Sequence, residues 1–125
     1  MAGTTQAQIN LTVRNDNFTH SYVIPQKSVS QTNPGVFDRI VNVSTTEVTV
    51  EFTGITTPGL TILQNLSTST TTTDYVMFGS ATGDPIGNLP PNGLPAIIPQ
   101  WDASETLYLD ANNSTCNVRV IVHEA

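Results

Sequence analysis

The side chains able to do chemistry are few and scattered along the chain. The histidines, His20 and His123, stand far apart, and neither neighbours a cysteine or an acidic cluster. No CxxC, HExxH or HxH spacing occurs, so a zinc site has no ligand set in the sequence. Asn15-Asp16-Asn17 begins like a calcium loop but lacks the glycine and the distal Glu that complete one. Asx-turn chemistry between two strands accounts for it better. Cys116 has no base beside it and no GxSxG is present, so nucleophilic catalysis lacks a motif; Cys116 reads as a small buried hydrophobe. Glu47 and Glu51 are the nearest thing to a glycosidase carboxylate pair. On a strand they flank Thr49 on one face, which is how a solvated face looks. Gly79-Ser80-Ala81-Thr82-Gly83 has neither the Lys nor the following helix that cradles phosphate. Trp101 and Tyr108 are the candidates for a small glycan-stacking platform, against the plainer reading that Trp101 caps one end of a core. The residues thus point away from an enzyme, and to no cofactor or metal.

The elements that must position these residues are strands. Ala, Leu, Glu, Lys and Arg are scarce, while Val, Ile and Thr dominate, and β-branched side chains favour pleated backbone. Alternation with period two marks Gln8–Arg14, where Ile9, Leu11 and Val13 share a face, and Thr46–Thr53, where Val48, Val50 and Phe52 do. It marks Thr106–Ala111 and Asn117–His123 as well. Tyr75–Phe78 and Val36–Val43 are apolar on both faces, as for interior strands or strands whose outer face meets a partner. Tyr22–Ile24 and Leu60–Leu66 bring the expectation to about eight strands. Turns at Asn33-Pro34-Gly35, Thr57-Pro58-Gly59, Gly83-Asp84-Pro85 and Pro90-Pro91-Asn92-Gly93 separate them. The expected fold is all-β: an antiparallel β-sandwich or jelly roll with little or no helix. It forms a single domain over residues 1–125, with residues 1–8 as an extended N-terminal arm.

Charge narrows the function further. Only 11% of residues are charged, against about 25% in a typical domain. Thr, Asn and Ser fill the gap with 40 of the 125 residues. Ten acids against four bases give a net charge of −6, so no basic patch exists to release counterions from nucleic acid or to dock on anionic lipid. No apolar run approaches the ~20 residues of a membrane helix. The first ten residues lack the basic and apolar regions of a secretory signal. Burying a hydroxyl costs far less than burying Lys or Glu, and charge depletion marks interface cores. The composition therefore suits a chain whose surface other chains cover.

Two irregular stretches are the expected contact regions, together with the polar arm Met1–Gln8. Ser67–Asp74 is low-complexity and has no apolar residue, so it cannot be core and is either an exposed hairpin tip or an edge strand; the contact region is its part Ser67–Thr73. Gly79–Pro95 holds four Pro and four Gly and reads as a long surface connection, which in a small domain usually has a task. The candidate partner-contact residues are Ser67, Thr70, Thr72, Asp84, Pro85, Pro90, Pro91 and Leu94.

The run Gly59-Leu60-Thr61-Ile62-Leu63-Gln64-Asn65-Leu66, followed by Asp74-Tyr75-Val76-Met77-Phe78-Gly79, resembles one found in small structural proteins of tailed bacteriophages. Their pattern is a Gly, a strand ending in Asn-Leu, a short turn, and a strand reading Tyr-Val-x-x-Gly. Leu89 to Gly93, Ala96-Ile97-Ile98-Pro99, Leu107-Tyr108-Leu109-Asp110-Ala111 and Val118–Glu124 are similar too, so the resemblance covers roughly residues 35–125. The chain departs from the pattern at Ser67–Thr73, which lengthens the turn, and at Leu94, where an acid usually follows the Gly. The resemblance implies a virion component made in the bacterial cytoplasm. The kind it favours is a capsid decoration, or cement, subunit on the outside of the head, a homo-oligomer (trimer favoured) bound to the major capsid protein. A tail- or fibre-associated protein and a carbohydrate- or host-surface-binding module are the alternatives.

Overall fold

In the computed structural model, residues 4–30 and 35–125 are described. They are all-β, with ten strands in antiparallel sheets and no helix. The chain divides into two compact units, Met1–Pro34 and Gly35–Ala125.

The first unit is a hairpin. β1 (Thr4–Asn15) runs antiparallel to β2 (Phe18–Ser30), joined through Asp16 and Asn17. The Asx-rich tripeptide thus ends a strand and turns it. Gln8, one of the residues expected in a free arm, lies in β1 at a register irregularity between Ala7 and Ile9. Residues 4–7 of that arm are paired strand as well; residues 1–3 lie outside the described residues.

The second unit holds β3 (Val36–Val43), β4 (Val48–Val50), β5 (Pro58–Asn65), β6 (Val76–Gly79), β7 (Gly87–Leu89), β8 (Ala96–Ile98), β9 (Leu107–Ala111) and β10 (Cys116–Glu124). Two four-stranded sheets result, ordered β3-β10-β5-β8 and β4-β9-β6-β7. The pairings are nested: β3 with β10, β4 with β9, β5 with β8, β6 with β7. Alternation explains what each sheet buries. Val118, Val120 and Val122 of β10, Leu63 of β5, Leu107 and Leu109 of β9, and Val76 of β6 are fully buried. They meet in one apolar cluster drawn from both sheets. Each such side chain contributes about 1.5–3 kcal/mol of transfer free energy.

Ten strands replace the expected eight or so. The stretch Gly79–Pro95 is not one unbroken connection, because β7 lies inside it and pairs with β6. Strands of three residues are too short to show a period, which is why β7 and β8 escape pattern reading. Ser67–Asp74 is neither a hairpin tip nor an edge strand; it is an irregular connection between β5 and β6, and its last residue, Asp74, is buried rather than exposed because its carboxylate accepts three hydrogen bonds.

Candidate partner-contact surface

One end of the second unit gathers most of the expected contact residues. Asn65, 5% exposed, donates from Nδ2 to the carbonyls of Asp74 (3.2 Å) and Leu89 (3.0 Å), and its Oδ1 accepts the Ser67 N–H at 2.9 Å. Within the Ser/Thr run, hydroxyls hold the backbone: Ser67 Oγ accepts the Ser69 N–H at 3.2 Å and Ser69 Oγ the Thr71 N–H at 3.1 Å. This is the local turn chemistry that Ser and Thr prefer to strand pairing. The Pro90-Pro91-Asn92-Gly93 turn is tied to the same run. Asn92 takes a left-handed φ of 52°, a conformation Asn tolerates, and donates from its backbone to Ser67 O (3.1 Å) and from Nδ2 to Ser69 O (2.8 Å). Gly93 is required there, because a Cβ would stand 2.2 Å from Pro90 Cγ. Ser67, Thr70, Thr72, Pro90 and Pro91 therefore share one end, with Leu94, 76% exposed, closing the same loop. Asp84 and Pro85 do not join them. They sit between the end of β6 and the start of β7, at the opposite end, where the Gly83 N–H donates to Glu47 Oε2 at 2.9 Å.

Asp74 anchors this polar end. Its carboxylate accepts from Ser69 Oγ (2.5 Å), Asn113 Nδ2 (2.9 Å) and Ser114 Oγ (3.0 Å). These donors, Ser69 foremost, hold its pKa below the ordinary carboxylate value. Cys116 lies beneath, 4% exposed, with Sγ 3.3 Å from Ser114 O and 3.7 Å from Asp74 O. Burial, and then the Asp74 charge, push its thiol pKa up, which keeps it protonated and unreactive.

The candidate stacking pair does not form. Trp101 is 5% exposed, donates from Nε1 to Glu105 O at 3.0 Å, and meets Phe52 edge-on at 6.4 Å. Tyr108 is half-buried on the other face of its strand from the core residues Leu107 and Leu109. An indole inside the apolar cluster has no face to offer a sugar. Tyr108 instead lines a crevice of about 170 Å³ with Glu47, Met77 and Asp110. Asp110 Oδ1 is buried there without a hydrogen-bond partner.

The outward face of the β3-β10-β5-β8 sheet is the feature that the candidate residues missed. Ile97 pairs with Ile62, Ile62 with Ile121, and Ile121 with Asp38, so three isoleucines form a cross-strand row. Ile40, 64% exposed, and Val36, 57% exposed, flank the row on the edge strand, and Ile97 is 47% exposed. The formal charges on this face are Asp38 and Arg119, and they neutralise each other in a two-pronged contact: Nη2 to Oδ2 at 2.8 Å and Nε to Oδ1 at 3.1 Å. The Arg119 guanidinium lowers the Asp38 pKa, and Asp38 raises that of Arg119. The two-sided apolar pattern of Val36–Val43 foreshadows this face. Ile121 carried a signal as well, since it puts an apolar residue at an outward position of an otherwise alternating strand. Comparison with family models, curated proteins and solved structures finds no match to this chain.

Proposed function

We propose that this chain is a non-enzymatic structural subunit of a virion: a decoration, or cement, protein bound on the outer surface of a tailed-phage head. The observation that carries the reading is the isoleucine row Ile97–Ile62–Ile121 with Ile40 beside it. A solvent-facing strand normally presents charge at such positions, and apolar sheet faces left open are partner sites. The polar end formed by Ser67–Thr73 and Pro90–Leu94 adds a second uncharged surface, pinned by hydrogen bonds and thus cheap to bury. Two such surfaces let one subunit touch two capsomers. The second contact then forms at the high effective concentration set by the first. About 800 Å² per partner suffices for specific docking. Many symmetry-related copies acting together would raise the pressure and temperature at which the shell fails.

The fold supports the same reading. Nested pairing of eight strands, first with last and inward to a central hairpin, is how a jelly-roll sandwich winds. That architecture serves viral shells and also lectins, and the burial of Trp101 favours the former. The partner is the major capsid protein, and the subunit is a homo-oligomer, a trimer by preference.

The test is sedimentation of the purified chain with capsids built from the major capsid protein of the same phage. Expanded, mature shells should carry the chain down, and Ile40→Lys with Ile97→Lys should abolish that. Absence of co-sedimentation with either shell form overturns the proposal.

A further inference from the structure

We propose that the β1/β2 hairpin is the oligomerisation element of this protein, and that its apolar face is covered by the same hairpin of other copies of the chain. The register puts three cross-strand pairs on one face: Ile9 with Ile24, Leu11 with Tyr22, and Val13 with His20. The opposite face is more polar, with Thr12 against Ser21 and Arg14 against Thr19. Leu11, Val13 and Tyr22 are 43%, 46% and 54% exposed, and Ile9 and Ile24 are half-buried. A two-stranded ribbon of this kind is marginal in water; it needs further strands or a packing partner to persist. Twelve residues of extended chain make it about 40 Å long, so the deficit is large.

Three observations favour a second copy as the occupant. The three apolar pairs hold no acid and no Lys or Arg, Lys27 standing opposite Ala7 beyond the register irregularity, so two identical sets of pairs meet without like-charge repulsion, the condition for a symmetric contact. Leu11, Val13 and Tyr22 are each close to half exposed on this one face. Mating two copies hides the patch on both, as the apolar core of an interface whose remainder is polar rim. The apolar pairs also lie towards the turn: Ile24 precedes Ser30 by six residues, about 20 Å along the strand, and the stretch between is mostly polar. The hairpin thus carries its apolar pairs towards its own turn, where the same pairs of another copy can meet them.

This inference deepens the homo-oligomer part of the proposed function and rests on it, though not on the capsid assignment. The experiment is light scattering of the full chain across roughly micromolar to millimolar concentrations, for wild type, Leu11→Lys with Tyr22→Lys, and Ile40→Lys. Trp101 fluorescence, which reports the second unit, checks that this unit remains folded. Wild type should show a multiple of 13.4 kDa. The hairpin variant should associate at least ~30-fold more weakly, as when hot-spot residues are lost, and Ile40→Lys should leave the mass unchanged. Leu11→Cys should give an interchain disulfide under mild oxidation, and Thr12→Cys, on the opposite face, should not. A wild-type chain that is monomeric throughout refutes the homo-oligomer reading itself. An oligomer that survives the hairpin variant, or cross-links equally through Thr12→Cys, refutes only the assignment to this face. A monomer whose hairpin is protected from hydrogen exchange would mean that the chain covers its own hairpin, which also overturns the proposal.

Discussion

Replacing Asn65 by Ala tests how the polar end is held together. The side chain satisfies three backbone groups at once: the carbonyls of Asp74 and Leu89 and the N–H of Ser67. Leu89 is 1% exposed and Asp74 9%, so water reaches their carbonyls poorly once the amide is gone, and the Asp74 carbonyl keeps only the long, weak Cys116 Sγ contact at 3.7 Å. Ser67 is half-buried and can be resolvated. Each buried group left unpaired costs about 1–3 kcal/mol, carbonyls towards the lower end because of their second lone pair. The two carbonyls together give about 2–4 kcal/mol. For a unit of this size, 1 kcal/mol moves Tm by about 4–8 °C, so Asn65→Ala should lower the midpoint by about 8–32 °C. The assay is thermal unfolding followed by Trp101 fluorescence. Asn42→Ala is the control, since Asn42 donates to Asn117 Oδ1 at 3.1 Å on an exposed surface and should cost under about 0.5 kcal/mol. Hydrogen exchange should also quicken at the Asn92 N–H, which Asn65 holds indirectly through Ser67. If Asn65→Ala falls within the range of Asn42→Ala, the polar end is not organised by this amide, and the account of a pinned contact surface fails.

Acid should loosen the same end. Asp74 has a lowered pKa when folded, so its stabilisation is complete above the ordinary carboxylate pKa and disappears as pH falls through the folded value. Asp74→Asn should therefore be less stable than wild type near pH 6, with the gap narrowing as pH falls below the ordinary carboxylate pKa; parallel Tm curves across that fall would contradict the hydrogen-bond account. Cys116 should resist thiol reagents at pH 8 in the native state and react at the rate of unfolding, because burial keeps it protonated and out of reach; modification as fast as in a free peptide would contradict its placement. Gly93→Ala should destabilise the second unit by more than about 1 kcal/mol in denaturant titration, since its methyl meets the Pro90 ring; an unchanged midpoint would mean that the turn relaxes freely.

β1, β4, β9 and β10 were legible because alternation, which runs on past β4 to Phe52, repeats long enough to be read. Val118, Val120 and Val122 announce β10, and Ile9, Leu11 and Val13 announce β1. β2 was legible only in its centre at Tyr22–Ile24, because Pro25, Gln26 and Lys27 break the apolar pattern while the backbone stays extended. The three-residue strands β7 and β8 are recruited by their neighbours β6 and β5 rather than by their own sequences. The nested pairing is non-local, and no window of sequence contains it. The division into two units was hidden for a related reason: β1 and β2 look like ordinary sheet strands, and nothing local says that they form a two-stranded sheet of their own.

The polar end was legible in composition and partly illegible in place. The Ser/Thr run was singled out as irregular, whereas the Pro-rich run concealed β7. Nothing local says that Ser67 and Asn92 meet, since 24 residues and two strands separate them. Asn65 is an ordinary strand-ending Asn until three loops converge on it. Trp101 was legible in its plainer reading, as a cap on one end of the core: Phe52 and the Glu105 carbonyl enclose it.

The central claim, that this chain exists to be covered by a viral shell and to strengthen it, is tested most directly by heating mature capsids with and without the bound chain while DNA release is followed by an intercalating dye. The account predicts release at a higher temperature for decorated capsids, and a return to the undecorated value with the Ile40→Lys, Ile97→Lys chain. Identical release temperatures with and without saturating chain would contradict it.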